Sequence, residues 1–259
     1  VELSARSSSG PAFLGSALAT DPNRPLLTYY DDATGERTEL SAATLGNWVV
    51  KTANLLGECG LGPGDRAAVL LPPHWQTAAV LLGTWTAGLG VDLHLAATAG
   101  LPGLGTPAAG PPGVVFAAVD RVEDLTEEVP QAAYRFALGL APLGAPMRTV
   151  PEGYEDYVAE VRGQADELES YAPTSRTDPA IDATTYQEWG AVAREVAASI
   201  GIGAGDRVLI DAARSEHPVN WLLAPLSVGA TMVLCANLDR DVVTARAKSE
   251  RITRVLAGE

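Results

Sequence analysis

The sequence predicts an α/β protein of two duplicated three-layer α/β subdomains with mostly parallel sheets, residues 1–165 and residues 166–259. Three observations predict it. Short apolar runs alternate with amphipathic stretches, a Gly-x-Gly-x-Gly-Asp-Arg loop occurs twice, and the elements around the two loops keep one register. Apolar runs separated by helices suit parallel strands covered on both faces.

In chain order, residues 26–30 and 37–40 flank the turn Asp31-Asp32-Ala33-Thr34-Gly35-Glu36 and read as a hairpin. Ser41 is placed to cap a helix whose Leu45, Trp48, Val49, Thr52, Leu55 and Leu56 share one face, and Gly60 ends it. A buried strand at 67–71, a helix at 74–87 and a strand at 91–95 follow. Residues 98–113 are rich in Gly and Pro and read as a long connection. A strand at 114–119 and an acidic helix at 120–129 come next. Tyr154, Tyr157, Val158 and Val161 stand at helical spacing within 154–168, and residues 171–183 read as a loop.

The pattern then repeats. Thr185 is placed to cap a helix carrying Trp189, Val192, Val196 and Ile200. The second glycine loop, Gly201-Ile202-Gly203-Ala204-Gly205-Asp206-Arg207, leads to a strand at 208–210, a helix at 218–228 and a strand at 231–235. A fixed offset of 141 residues, the separation of Asp65 from Asp206 and of Trp48 from Trp189, aligns the halves. It matches Gly60, Gly62, Gly64, Asp65, Arg66 and Gly88 with Gly201, Gly203, Gly205, Asp206, Arg207 and Gly229. The loop itself reads as a fold-setting turn more than a ligand site, because glycine alone adopts left-handed dihedrals cheaply.

Composition narrows the function classes. The 259 residues carry 32 acidic against 18 basic side chains, for a formal net charge of −14. Such an acidic chain is unsuited to nucleic acid or to an anionic membrane surface, so neither is expected as a partner. A mean hydropathy of +0.09 excludes a disordered chain. Cys59 and Cys235 offer neither a disulfide framework nor metal spacing, which points to the reducing cytoplasm. Residues 12–19 are too short for a secretory signal and residues 78–91 too short to span a bilayer. Lys51 and Lys248 are the two lysines, and both fall on amphipathic helices where a solvated face is expected.

Several residue series resemble a known family. Leu27-Thr28-Tyr29, the hairpin, the Ser-capped helix and Gly62-Pro63-Gly64-Asp65-Arg66-Ala67-Ala68-Val69-Leu70-Leu71-Pro72 are similar to the N-terminal region of AMP-dependent acyl-CoA synthetases, members of the adenylate-forming superfamily. Asp206-Arg207-Val208-Leu209, His217, Leu222-Leu223-Ala224-Pro225-Leu226, Gly229-Ala230 and Glu250-Arg251-Ile252-Thr253 resemble that family's second subdomain. The likeness spans about residues 26–256. A closer likeness is to a group of short, uncharacterised actinobacterial proteins similar to this region alone.

The resemblance implies a mononucleotide-binding scaffold without its chemistry. The family's Ser/Thr/Gly-rich phosphate loop ends in Pro-Lys-Gly, whereas the corresponding Tyr171-Ala172-Pro173-Thr174-Ser175-Arg176-Thr177-Asp178-Pro179-Ala180 has neither glycine nor lysine, and Asp178 would repel phosphate. The chain reaches Glu259 before the family's Tyr-Gly-x-Thr-Glu segment, ribose-binding Asp, hinge and C-terminal catalytic Lys domain. The expectation is a degenerate, non-catalytic relative acting as a binding or scaffold protein, with no catalytic residue, no metal and no resident cofactor. Its partner would be another protein or a second copy of the chain.

The alternative is an enzyme or enzyme half that binds a nucleotide or acyl ligand and is completed by a partner chain. In that reading Thr174, Ser175 and Arg176 form a divergent phosphate site for ATP, AMP or CoA, and His217 with Trp221 lines the acyl side. Glu216 stands where the family has an aromatic and Asn220 near its expected glycine. His217-Pro218 also reads as an ordinary helix start, and Trp221 as core. A third reading is a hydrolase or transferase with a pocket beyond the strand ends, near Pro72-Pro73-His74 and Asp211-Ala212-Ala213-Arg214. Against it, no Gly-x-Ser-x-Gly elbow occurs, and His74, His94 and His217 lack metal spacing and any adjacent carboxylate–histidine cluster. The glycine run 100–105 has no lysine and no following helix, and Asp31-Asp32 and Glu127-Glu128 read as solvated charges.

Overall fold

Asp31 accepts a hydrogen bond from the Ala33 amide at 2.9 Å and Gly35 adopts φ +76°, which together reverse the chain between β1 (Pro25–Asp31) and β2 (Glu36–Ser41). Ser41 Oγ then accepts from the Thr44 amide at 3.1 Å and caps α1 (Ala42–Glu58), as its position predicts. The structure is a computed structural model and describes residues 21–98, 110–168 and 175–256. Thr174, the apolar stretch 12–19 and the glycine run 100–105 lie outside the described residues.

The elements that follow are β3 (Arg66–Leu70), α2 (Trp75–Thr86), β4 (Gly90–Leu93), β5 (Val114–Ala118), α3 (Val119–Glu123), β6 (Tyr134–Leu138), β7 (Glu155–Asp156) and α4 (Tyr157–Arg162). Then come β8 (Pro179–Ile181), β9 (Thr184–Thr185), α5 (Tyr186–Ser199), β10 (Arg207–Asp211), α6 (Ala224–Ser227), β11 (Thr231–Ala236), α7 (Val243–Ser249) and β12 (Arg254–Leu256). The result is an α/β fold with mostly parallel sheets. Ala67, Ala68, Val69 and Leu70 are all buried, so both faces of β3 are covered, as a three-layer arrangement requires.

The chain divides discontinuously, unlike a cut at residue 165. One compact unit draws on the described residues within Val1–Gly46, Pro73–Ala78 and Gln187–Glu259, the other on Asn47–Pro72 and Ala79–Tyr186. In the first, the sheet order is β12-β10-β11-β1-β2, with β1 parallel to β11 (Thr28↔Val233) and antiparallel to β2. In the second, the order is β7-β6-β5-β3-β4-β8-β9, with β8 parallel to β4 (Val91↔Ile181). A two-stranded hairpin is marginal alone and gains stability by joining a larger sheet. The N-terminal hairpin does so on β11, and β8–β9 does so on β4.

The two glycine loops share one set of hydrogen bonds at the 141-residue offset. The Gly62 and Gly203 amides donate to Asp65 Oδ2 and Asp206 Oδ2 at 2.9 and 2.8 Å. The Leu61 and Ile202 amides reach Leu56 O and Ala197 O, both at 3.0 Å. The Gly90 and Thr231 amides donate to Asp65 O and Asp206 O at 3.0 and 2.8 Å, and the Leu89 and Ala230 amides to Thr84 O and Pro225 O at 3.1 and 3.0 Å. Gly64 and Gly205 take φ +100° and +82°, conformations that a side chain would strain.

Several elements differ from the sequence prediction. The helix over 120–129 stops at Glu123, because Asp124 Oδ1 draws in the Thr126 amide and hydroxyl at 2.8 and 2.7 Å. The helix over 154–168 shortens to α4, capped by Asp156 through the Val158 amide at 2.9 Å, while Tyr154 stays outside with Arg135 over its ring at 4.2 Å. Strand β6 adds to the predicted elements, and β8 lies inside the predicted loop 171–183. The predicted helix at 218–228 begins as a π turn (Val219–Leu223), in which the Ala224 amide bonds Val219 O, before Pro225, which has no N–H, enters α6.

The turn between β8 and β9 places Asp182 at φ +46° and Ala183 at φ +67°. Such a turn favours Gly in its second position. Ala183→Gly is therefore expected to stabilise the protein by about 0.5–1 kcal/mol, read as a raised thermal midpoint; a lowered midpoint would refute it.

Candidate functional site

The Ser175 turn supplies its own anion. The Ser175 amide donates to Asp178 Oδ2 at 2.6 Å, the Thr177 amide to Ser175 Oγ at 3.3 Å, and the Asp178 amide to Ser175 O at 3.1 Å. The Ser175 and Thr177 hydroxyls bond each other at 2.8 Å. A carboxylate of the turn itself thus takes the Ser175 amide. Arg176 is exposed beside it.

His217 acts at a helix start. Its Nδ1 accepts from the Val219 amide at 3.1 Å, and its ring stacks on Trp189 with centroids 5.2 Å apart. Burial lowers its pKa, with Glu216 opposing. Trp221 is 1% exposed and its Nε1 donates to Glu216 O at 3.2 Å, so the buried indole fastens the preceding loop. Ser175 and Arg176 belong to the second unit, His217 and Trp221 to the first.

His74 plays the same capping part at α2, where its Nδ1 accepts from the Gln76 amide at 3.1 Å. The ring is 2% exposed and meets Tyr29 edge-on at 4.3 Å. Because Nδ1 is the acceptor, the neutral ring carries its proton on Nε2, which has no hydrogen-bond partner among the described residues. Burial pushes its pKa down to about 3, against the pull of Asp31. This is a neutral cap, not a proton donor.

Several charged or polar groups that read as solvated in the sequence, or carry no signal there, are held in the fold. Arg121 grips both carboxylate oxygens of Glu127 and donates to His94 O, and the two charged side chains are nearly buried. Burial lowers the His94 pKa, with Asp92 opposing. Asp32 is likewise held by Arg246 at 2.5 Å. Lys51 is only 17% exposed; its Nζ caps the end of α4 at Arg162 O (3.4 Å) and Gln164 O and pairs with Asp166 at 3.0 Å. On the same face of α1, Asn54 Nδ2 donates to Ala165 O and Glu167 O at 3.0 and 2.9 Å. Residues 27 or more than 100 positions apart carry no local signal of such pairing.

Beyond β10, the buried Asp211 carboxylate faces Arg214 at 3.8 Å and Arg240 at 3.5 Å. A cleft of about 60 Å³ opens elsewhere, between Asp21, Arg24, Pro25 and Thr231, and is small for an organic ligand. Among the described residues no group of three His, Cys, Asp or Glu is arranged to hold a metal, and no helix is long and apolar enough to cross a membrane.

No family model matches the chain. A "TIGR03089 family protein" of Mycobacterium tuberculosis is 39% identical over 254 residues, covering 95% of this chain and 96% of the relative. The chain belongs to the TIGR03089 family. Among solved structures, acetoacetyl-CoA synthetase from Streptomyces lividans matches with TM-score 0.72 at 20% identity, over 95% of this chain and 41% of its own. The acyl-CoA synthetase of Brucella canis matches with TM-score 0.68 at 17% identity, over 95% of this chain and 46% of its own. The chain therefore spans less than half the length of these synthetases, and at such identities the likeness is one of fold. It is the fold of the N-terminal part of adenylate-forming enzymes, as the resemblance implies.

Proposed function

We propose that this family member is a cytoplasmic, non-catalytic binding protein built on the scaffold of an adenylate-forming N-domain. The observation that carries the reading is the Ser175 turn: Asp178 fills it at 2.6 Å with a negative charge where the synthetases' chemistry calls for a phosphate. The absence of glycine and lysine from residues 171–180 supports the same reading, since glycine lets amides approach a phosphate closely and the synthetases' loop neutralises it with lysine. Lys51, occupied with the carbonyls of the α4 end, is an unsuitable substitute for a catalytic lysine. We further infer that the two halves descend from one duplicated unit, which the shared hydrogen bonds of the glycine loops support.

The test is pyrophosphate release. Purified protein incubated with ATP, magnesium and a panel of short, long and aromatic carboxylic acids is expected to release none above a heat-inactivated control. Release that depends on both ATP and an acid would overturn the reading. It would favour the alternative in which Ser175, Arg176 and His217 serve an active enzyme.

A further inference from the structure

We propose that residues 237–253, with α7 at their centre, form a polar-latched flap over β10 and β11 that opens while the sheet stays folded. The proposal stands independently of the non-catalytic reading above. Topology sets the flap's ends. The segment leaves β11 after Ala236 and returns at β12, which pairs with β10 (Val208↔Arg254). It packs over Leu209, Val233 and Cys235, all three fully buried.

The segment buries almost nothing of its own. Every residue from Asn237 to Thr253 stays at least partly exposed, and α7 has no buried residue. Leu238 and Ile252, near the two ends, are its hydrophobic residues packed on the cluster, and both are only partly buried. The helix α4, one residue shorter than α7, buries Tyr157, Val158 and Val161 by contrast. Stretches with few buried apolar contacts open at lower free energy than core strands.

Polar anchors hold it instead. Arg246, in the middle of α7, donates to both oxygens of Asp32 at 2.5 and 3.1 Å and lies over the Tyr30 ring at 4.1 Å. Asp32 Oδ2 also accepts from the Asp239 amide at 2.8 Å. Just past α7, Glu250 accepts from the Tyr30 hydroxyl at 2.5 Å, from Arg207 at 2.6 Å and from Arg37 at 3.0 Å. Arg240 adds a contact to Asp211 at 3.5 Å. These bonds fix one closed position, because each needs its own geometry. Water replaces much of what they give, so their net loss on opening is small beside the apolar burial that holds the strands. Arg246 Nη1 also stands 3.5 Å from Cys235 Sγ, so its release uncovers the thiol and makes Cys235 a reporter of the open flap.

Hydrogen exchange of the full chain tests the flap. The Glu250 and Ile252 amides, which bond Arg246 O and Ala247 O at 2.9 and 2.8 Å, are expected to exchange faster than the amides of β10 and β11, at a rate that low urea leaves unchanged. Exchange of these two amides that rises with urea in step with the strands would overturn the proposal. Thiol alkylation gives a second reading. In a Cys59→Ser background, N-ethylmaleimide is expected to label Cys235 through the same urea-independent opening. Asp32→Asn combined with Arg246→Gln removes the central latch without leaving an unpaired charge. It should speed labelling about tenfold or more, as loss of a charge-assisted bond does, while the β10 and β11 amides keep their wild-type protection. Unchanged labelling in that variant, or labelling that speeds only as far as strand protection falls, would overturn the proposal as well.

Discussion

Gly83→Ala is expected to destabilise the protein by about 3 kcal/mol, the upper end of overpacking effects. Gly83 of α2 faces Thr52 of α1, and a Cβ added there would stand 2.4 Å from Thr52 Cβ, 2.6 Å from Thr52 Cγ2 and 3.1 Å from Val49 O. None of these atoms is the free end of a long side chain. Thr52 is also pinned, since its hydroxyl donates to Trp48 O at 2.8 Å and bonds the fully buried Tyr157 hydroxyl at 2.7 Å. Relief therefore requires the helices to separate, which opens voids in a close-packed interior. Gly203→Ala is the matched comparison, because its Cβ would meet nothing within 4 Å and its φ is not positive. Urea denaturation should shift the Gly83→Ala midpoint far below those of wild type and Gly203→Ala. Coincident midpoints would mean that α1 and α2 are not held this closely.

Acid is expected to lower the protein's stability over two successive pH ranges, with His74 leading. Its pKa falls from 6.5 to about 3 because burial disfavours the charged ring. Glu250 falls from 4.5 to about 2: burial opposes ionisation, but hydrogen bonds from Tyr30, Arg207 and Arg37 outweigh it. Both groups bind protons more weakly folded than unfolded. Their stabilisation is thus complete above the unfolded pKa and is lost as pH falls towards the folded one. The His74 contribution declines below 6.5 and the Glu250 contribution below 4.5. At about 1.4 kcal/mol per pKa unit, the loss from His74 alone is on the order of several kcal/mol. His74→Asn keeps a side-chain acceptor for the Gln76 amide and removes the titration, so its stability should vary less between pH 6.5 and 4.5. Equal slopes for wild type and His74→Asn across that range would show that His74 is protonated as readily folded as unfolded.

These residues also show what a linear reading can reach. The hairpin turn at Asp31, the Ser41 cap and both glycine loops as turns were legible, because each is written within two to four neighbouring residues, though not that Asp65 and Asp206 close their loops on a preceding glycine amide. His217 as a helix start was legible for the same reason, whereas its kinship with His74 was not, since the two capping histidines depart from the 141-residue offset. Helix lengths failed where a short polar side chain competed for the backbone, as Asp124 does, because periodicity does not register that competition.

The sequence by itself determined the class of the fold, the repeated loop and the want of glycine and lysine in residues 171–180, since alternation of apolar runs, glycine spacing and residue types are local properties. Only the tertiary structure decided the rest. It joined the first hairpin to β11 and placed β8 beside β4. It buried Lys51 against the end of α4, and Arg121 with Glu127. It also drew Arg214 and Arg240 onto one oxygen of Asp211. Each of these joins segments that gain burial or lose unpaired charge only when the sheets assemble, so no window of sequence contains the free energy that selects them.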